Sequence, residues 1–288
     1  MEPLIEWINQ RFPNLTGMMM DLDDKITVVT GAGSGIGRAL AIRFAERGVR
    51  AVVCTDLNAE NAAETAAMIG SVATSSGLDV GDEQAIEQLV QQTEETIGGI
   101  DIFVSNAGYG QAGGLNLPTE DWQRMMSVHT WSHLAAARAV IPGMIKRGGG
   151  YLLSTASAAG LLTQIDSGPY AVSKHAAVAL AEWIAINYGD QGIGVSVLCP
   201  QAVRTNIGAN AIRTDTNKPG RKSNSGQASG DGILEADFVA DACIDAMSQE
   251  RFLVLPHPEV ATYFKRKASD YDRWLGGMRR FRDRLKGN

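Results

Sequence analysis

From Lys25 onward, short β-branched apolar runs alternate with longer stretches whose apolar residues recur at helical spacing. Ile26–Val29 leads through a glycine-rich turn into a helical pattern over Ala39–Glu46, and Ala51–Thr55 precedes another over Ala59–Ile69. Ile102–Ser105 precedes a helical stretch from about Thr119 to Ile145, and Tyr151–Thr155 precedes one over Tyr170–Tyr188. Val195–Leu198 ends at Cys199-Pro200. The short runs are continuously apolar rather than alternating, as in strands covered on both faces. Strands interleaved with helices predict right-handed crossovers and an α/β fold, a doubly wound parallel sheet flanked by helices. Such sheets bind ligands beyond the carboxyl ends of their strands, where strand order reverses. The loops after the strands are therefore where chemistry is expected.

Three segments break this rhythm. Residues 1–20 read as an N-terminal extension, with Leu4, Ile8 and Phe12 at helical spacing and Met18-Met19-Met20 as an alternative translation start. Residues 206–232 are rich in Asn, Gly, Ser, Lys and Arg and follow a strand end, which predicts a substrate lid. Residues 259–288 form a tail in which Tyr271, Trp274, Met278, Phe281 and Leu285 recur at spacings of three and four between arginines, interrupted by Gly276-Gly277. This is a basic amphipathic helix pattern. Packing on protein, either its own domain or a second subunit, is preferred over attachment to an anionic membrane. Residues 21–258 remain as one catalytic domain.

Net charge is −6, but Ala261–Asn288 holds nine Lys/Arg against three Asp, a balance of +6 that leaves −12 for the preceding 260 residues. An acidic body of this kind argues against nucleic-acid binding. Three widely spaced cysteines suit a reducing, cytoplasmic setting and exclude a disulfide framework. No Cys-x-x-Cys occurs, and the close pair His129 and His133 lacks a third ligand, so no metal site is expected. Neither a membrane span nor a signal-peptide pattern is present.

The first turn, Thr30-Gly31-Ala32-Gly33-Ser34-Gly35-Ile36-Gly37, joins a strand to a helix. Its glycines permit close approach of a pyrophosphate, and the helix N-terminus offers free N–H groups. Asp56 ends the second strand 19 residues after Gly37, where a carboxylate accepts from an adenosine ribose and repels a 2′-phosphate. Neither Ser34 nor Leu57 supplies a compensating positive charge, and Arg38 begins inside the helix. NAD is favoured over NADP.

Tyr170 and Lys174 are four apart in a helical pattern and share a face. An ammonium near a phenol favours the phenolate, which predicts a lowered Tyr170 pKa and a general acid/base. Ser157 lies just past the Tyr151–Thr155 strand, placed to hydrogen-bond a substrate oxygen. Tyr263 and Lys267 repeat the spacing, but in the basic tail, with no strand end or hydroxyl partner upstream.

Together these features resemble the short-chain dehydrogenase/reductase family of Rossmann-fold oxidoreductases, from about Lys25 to Leu255. The resemblance rests on the Thr30–Gly37 loop, Asp79-Val80, Asn106-Ala107-Gly108, Ser157 thirteen residues before Tyr170, Tyr170-Ala-Val-Ser-Lys174, and Pro200 followed by Thr205. It implies a sheet of about seven strands. It further implies that Asp79 and Val80 frame the adenine, Asn106 the adenosine-side turn, and Val203 and Thr205 the nicotinamide carboxamide, with Lys174 on the nicotinamide ribose. Two positions depart from the family pattern. His129 stands where the family has an Asn that anchors a water leading to the lysine; either an imidazole that still holds a water and titrates near neutral pH, or a replacement that keeps only the packing, is expected there. Pro200-Gln201 replaces Pro-Gly.

The expected activity is NAD-dependent interconversion of a secondary alcohol and a ketone, with Ser157, Tyr170, Lys174 and His129 as catalytic residues and an apolar substrate suggested by Leu161, Leu162 and Ile165. The expected partners are that small molecule and further copies of the chain, as a homodimer or homotetramer. The alternatives are a 3-ketoacyl reductase and a catalytically weak dinucleotide-binding scaffold.

Overall fold

A computed structural model of the chain describes residues 21–205, 207 and 225–285. The N-terminal extension and most of the expected lid lie outside the described residues.

Seven strands are β1 (Ile26–Thr30), β2 (Ala51–Asp56), β3 (Ala73–Gly77), β4 (Ile102–Ser105), β5 (Gly150–Thr155), β6 (Ile193–Leu198) and β7 (Leu253–Val254). They form one sheet in the order β3-β2-β1-β4-β5-β6-β7, and every pairing is parallel. Chain order reverses between β1 and β4, which opens a crevice at their carboxyl ends. This is the expected doubly wound sheet.

Because successive strand residues point to opposite faces, each strand feeds two cores. On one face Ile26, Val28, Phe103, Leu152, Val195 and Val197 pack beneath helices Glu83–Thr96, Ser132–Lys146 and Gly168–Tyr188. On the other, Val29, Val52, Cys54, Val104 and Leu153 meet helices Gly35–Glu46 and Ala236–Ser248. Asn58 and Asp82 cap helices Ala59–Ile69 and Glu83–Thr96 by accepting from first-turn N–H groups, each worth ~1 kcal/mol. Cys54, Cys199 and Cys243 are buried free thiols.

The segment expected as one helix from Thr119 runs Thr119–Met126, widens into a π-helical turn at Ser127–Trp131, and continues as Ser132–Lys146. π-turns within helices are rare and concentrate at functional sites. The tail comprises helices Glu259–Ser269 and Tyr271–Leu285. The second runs unbroken through Gly276-Gly277, which corrects the expected interruption. Among the described residues no helix is long and apolar enough to cross a membrane.

Candidate active site

The turn after β1 is built for close approach. Gly31 has φ +66°, and a Cβ there would sit 2.8 Å from the Ala107 Cα. A Cβ on Gly35 (φ +53°) would lie 2.8 Å from the Thr205 methyl carbon, and one on Gly37 would run into the Gly31 carbonyl. Glycine is thus required at three points, and Thr205 lies against the loop. Ser34 caps the Gly35–Glu46 helix without a side-chain hydrogen bond, which leaves its first N–H groups to an anion.

Asp56 accepts from the Gly33 N–H at 2.9 Å and from the Asn58 N–H at 3.0 Å, so its carboxylate is held at the rim of the loop. Leu57 beside it is exposed. Arg38 is committed elsewhere: its guanidinium donates to the Gly33 carbonyl at 2.6 Å and pairs with Glu64 at 2.7 Å. Asp79 takes both oxygens to Arg124 at 2.9 Å and accepts from the Gly81 N–H. Burial opposes this charge most strongly, but Arg124 and the Gly81 N–H together hold the Asp79 carboxyl below its usual value. Val80 next to it is buried. Asn106 ties the strand ends together. Its side-chain amide donates to the Thr30 carbonyl at 3.0 Å and accepts from the Thr155 hydroxyl at 3.1 Å, while its N–H and that of Ala107 donate to the Thr30 hydroxyl. Val203 forms a bridge with Leu234.

The residues expected to carry the chemistry converge at the carboxyl end of β5. Ser157 accepts from the Ala159 N–H at 3.1 Å and donates to the Pro200 carbonyl at 3.5 Å, and its hydroxyl pulls the pKa of the Tyr170 phenol down. The short helix Ala159–Leu162 that follows presses on the Tyr170 helix, and a Cβ on Gly160 would stand 2.5 Å from the Lys174 carbonyl oxygen. Lys174 is buried, donates to the Thr155 carbonyl at 2.8 Å and lies 5.7 Å from the Tyr170 ring centre.

The expected electrostatics of this pair need correction. Burial pushes the Tyr170 phenol above its ordinary value, and the Ser157 hydrogen bond recovers only part of that shift. Lys174 is itself pushed down to about 7 by burial. Desolvation outweighs the Ser157 hydroxyl's pull on the phenol, so Tyr170 is protonated near neutral pH.

At His129 the geometry fits the packing alternative. The residue lies in the π-turn, fully buried. The Tyr109 N–H donates to its Nε2 at 3.1 Å, which places the ring proton on Nδ1, and Nδ1–H donates to the Ser173 hydroxyl at 3.0 Å. Ser173 in turn donates to the Tyr170 carbonyl at 3.0 Å. The imidazole meets the Tyr170 ring edge-on, 5.4 Å between centres. Both ring nitrogens are occupied by protein, so neither is left to hold a water. Burial, reinforced by the Lys174 charge, holds His129 well below 6.5. It is a neutral brace between the Tyr109 loop and the Tyr170 helix. Ser173, Thr155 and Tyr109 were not singled out from the sequence; Ser173 stood in plain view inside the Tyr-x-x-x-Lys motif.

The second Tyr–Lys pair is not a site of this kind. Tyr263 donates to Asp231 at 3.0 Å, whereas Lys267 turns inward to the Leu161 carbonyl at 2.6 Å. Beyond the gap in the described residues, Gln227 docks back on the body. Its side chain accepts from the Ile165 N–H at 2.9 Å and donates to the Thr163 carbonyl at 3.1 Å. At the other departure, the Gln201 N–H donates to His257 Nδ1 at 3.2 Å, and Gln201 has no positive φ.

A family model described as short chain dehydrogenase matches residues 25–216. A 1-deoxy-11-beta-hydroxypentalenate dehydrogenase of Streptomyces exfoliatus is 33% identical over 250 residues, covering 83% of this chain and 86% of the relative. A 7alpha-hydroxysteroid dehydrogenase of Escherichia coli K12 is 34% identical over 187 residues, 64% of this chain and 73% of the relative. Among solved structures, a short chain dehydrogenase/reductase from Burkholderia phymatum in complex with NAD superposes with a TM-score of 0.81 at 29% identity, covering 88% of this chain and 96% of that one.

Proposed function

The chain belongs to the short-chain dehydrogenase family and is an oxidoreductase acting on CH–OH groups, and from that premise we propose that it is NAD-dependent and interconverts a secondary alcohol and a ketone. The observation that carries the reading is the convergence of Ser157, Tyr170 and Lys174 at the end of β5, facing the glycine turn of β1 across the crevice.

The turn fits a dinucleotide, because three of its glycines leave no room for a side chain and its helix N-terminus is uncapped by side chains. Bound there, NAD would supply the hydride acceptor or donor of the reaction. Asp56 receives the adenosine ribose, and Arg38, tied to Glu64 and Gly33, is not free to receive a 2′-phosphate. Lys174 and Thr205 hold the nicotinamide half. Ser157 orients the substrate oxygen, and Tyr170 gives its proton to a carbonyl in reduction or takes one from a hydroxyl in oxidation. His129 keeps the Tyr170 backbone in place through Ser173. The two relatives are named as dehydrogenases of a hydroxypentalenate and of a hydroxysteroid, which supports an apolar cyclic alcohol as substrate. Buried, unpaired thiols are consistent with a cytoplasmic setting.

The test is NADH formation with a panel of cyclic and steroid-like secondary alcohols. Tyr170→Phe is expected to retain NAD binding and lose activity by ~10²–10⁴-fold, the usual worth of a general acid/base. Oxidation by the parent enzyme is expected to rise with pH and reduction to fall, because the phenol is held protonated near neutrality. An active Phe variant overturns the assignment.

A further inference from the structure

The tail helices Glu259–Ser269 and Tyr271–Leu285 fold against the Ala159–Leu162 turn and leave a pocket of about 190 Å³. Leu162, Tyr271, Trp274 and Leu275 line it on the apolar side, His175 and Lys267 on the polar side. Lys267 is only 8% exposed. Its ammonium donates to the Leu161 carbonyl at 2.6 Å and reaches His175 Nε2 at 3.4 Å. His175 Nδ1 faces the Ala171 carbonyl at 2.8 Å, so the ring proton sits on Nδ1 and Nε2 is an acceptor. Both partners of Lys267 are therefore neutral, and among the described residues no carboxylate pairs with it. An ammonium has three N–H donors; two go to Leu161 and His175, and the third has only the face of the Tyr271 ring, 5.4 Å away, which itself lines the pocket.

A buried cation without an anion is costly, and a carbonyl at a short helix's C-terminus offsets only part of that cost. The surrounding tail adds attraction for anions, with nine Lys/Arg against three Asp over Ala261–Asn288. A cavity of ~150 Å³ holds benzene, so this one has room for a ring and a carboxylate. We propose that the pocket binds a small organic anion, a monocarboxylate with an apolar body of about benzoate size. The carboxylate takes the third donor of Lys267, and the body lies among Leu162, Trp274 and Leu275. The anion comes either as the far end of the enzyme's own substrate or as a separate acid.

The experiment titrates the full chain with sodium benzoate, followed by ligand-observed saturation-transfer NMR, with benzyl alcohol as the neutral counterpart. The expected result is saturable benzoate binding, at least tenfold weaker binding of benzyl alcohol, and at least tenfold loss in Lys267→Met with NAD affinity retained. Leu275→Trp, which fills the pocket from its exposed rim, is expected to abolish binding with Lys267 intact, and it decides the matter if Lys267→Met fails to fold. No saturable binding, equal binding of benzyl alcohol, or unchanged binding in both variants overturns the proposal. The source is then read from kinetics with an active alcohol. A raised KM at constant kcat identifies the anion as the substrate's far end, whereas a changed kcat at constant KM identifies a separate acid. This last arm alone rests on the proposed reaction.

Discussion

His129 and His133, one turn apart, are both buried and both held neutral, His129 well below 6.5 and His133 down to about 3, in each case chiefly by burial. In the unfolded chain both return to about 6.5 and take up protons there. Below that pH the unfolded state binds more protons than the folded one, so stability is expected to fall as pH drops from 6.5 towards 3. Denaturant midpoints measured across that range should show the decline, and His133→Leu should flatten it by that residue's share; a flat parent profile contradicts the burial of these rings. Asp56 supports a second expectation at this scale. NAD is expected to bind at least tenfold tighter than NADP, about 1.4 kcal/mol, and Asp56→Asn should narrow the gap. Equal affinities in the parent would mean that Arg38 leaves Glu64 for the 2′-phosphate. Asp56, Ser157, Tyr170 and Lys174 were legible in the sequence because their chemistry is carried by residue type and local spacing. The state of His129 was not. It is set by Tyr109, 20 residues away, and Ser173, 44 residues away, and by burial that spacing does not report.

Legibility at the level of elements followed the same logic. The strands that run through the interior, β1, β2, β4, β5 and β6, announce themselves as apolar runs. β3 does not, because Ala-Thr-Ser-Ser-Gly sits at the sheet edge with no need for two apolar faces, and β7 is only two residues long. The π-turn leaves no mark in the hydrophobic period, which continues through it. Gly276-Gly277 misled in the opposite direction, since two glycines suggested a break where the helix continues. Among the described residues, nothing but the Arg280 side chain approaches within 4 Å of a Cβ built on either. Gly276→Ala and Gly277→Ala are therefore each expected to stabilise the helix by ~1 kcal/mol, the difference in helix propensity. Thermal unfolding of the double variant checks this, and a lower midpoint would show that the glycines admit another surface.

The whole molecule consists of an acidic body clasped by a basic tail, and the tail is packed rather than free in the residues described. Val260 is fully buried, Lys267 reaches across to Leu161, Tyr263 bonds Asp231, and Trp274 lies on the core. A chain ending at Val260 is expected to lose on the order of 2 kcal/mol from the uncovered apolar area, seen as a melting midpoint lower by about 5 °C. If instead the tail serves an anionic membrane, the shortened chain melts as the parent does and only the parent sediments with anionic vesicles.

One small contact governs how this machine can respond to different substrates. Gly160 rests against the backbone of Lys174, so the turn carrying Ser157 and the helix carrying Tyr170 cannot slide past each other. A backbone contact this close leaves little room for either element to shift against the other. Discrimination between substrates is thereby left to how long each is retained in register, not to how well the proton is passed. On the proposed reaction, good and poor alcohols are expected to share a similar intrinsic hydride-transfer rate once seated and to differ mainly in the fraction of time spent seated. Replacing Gly160 with alanine would convert that fixed gauge into a loose one, and the differences would then move into the chemical step itself.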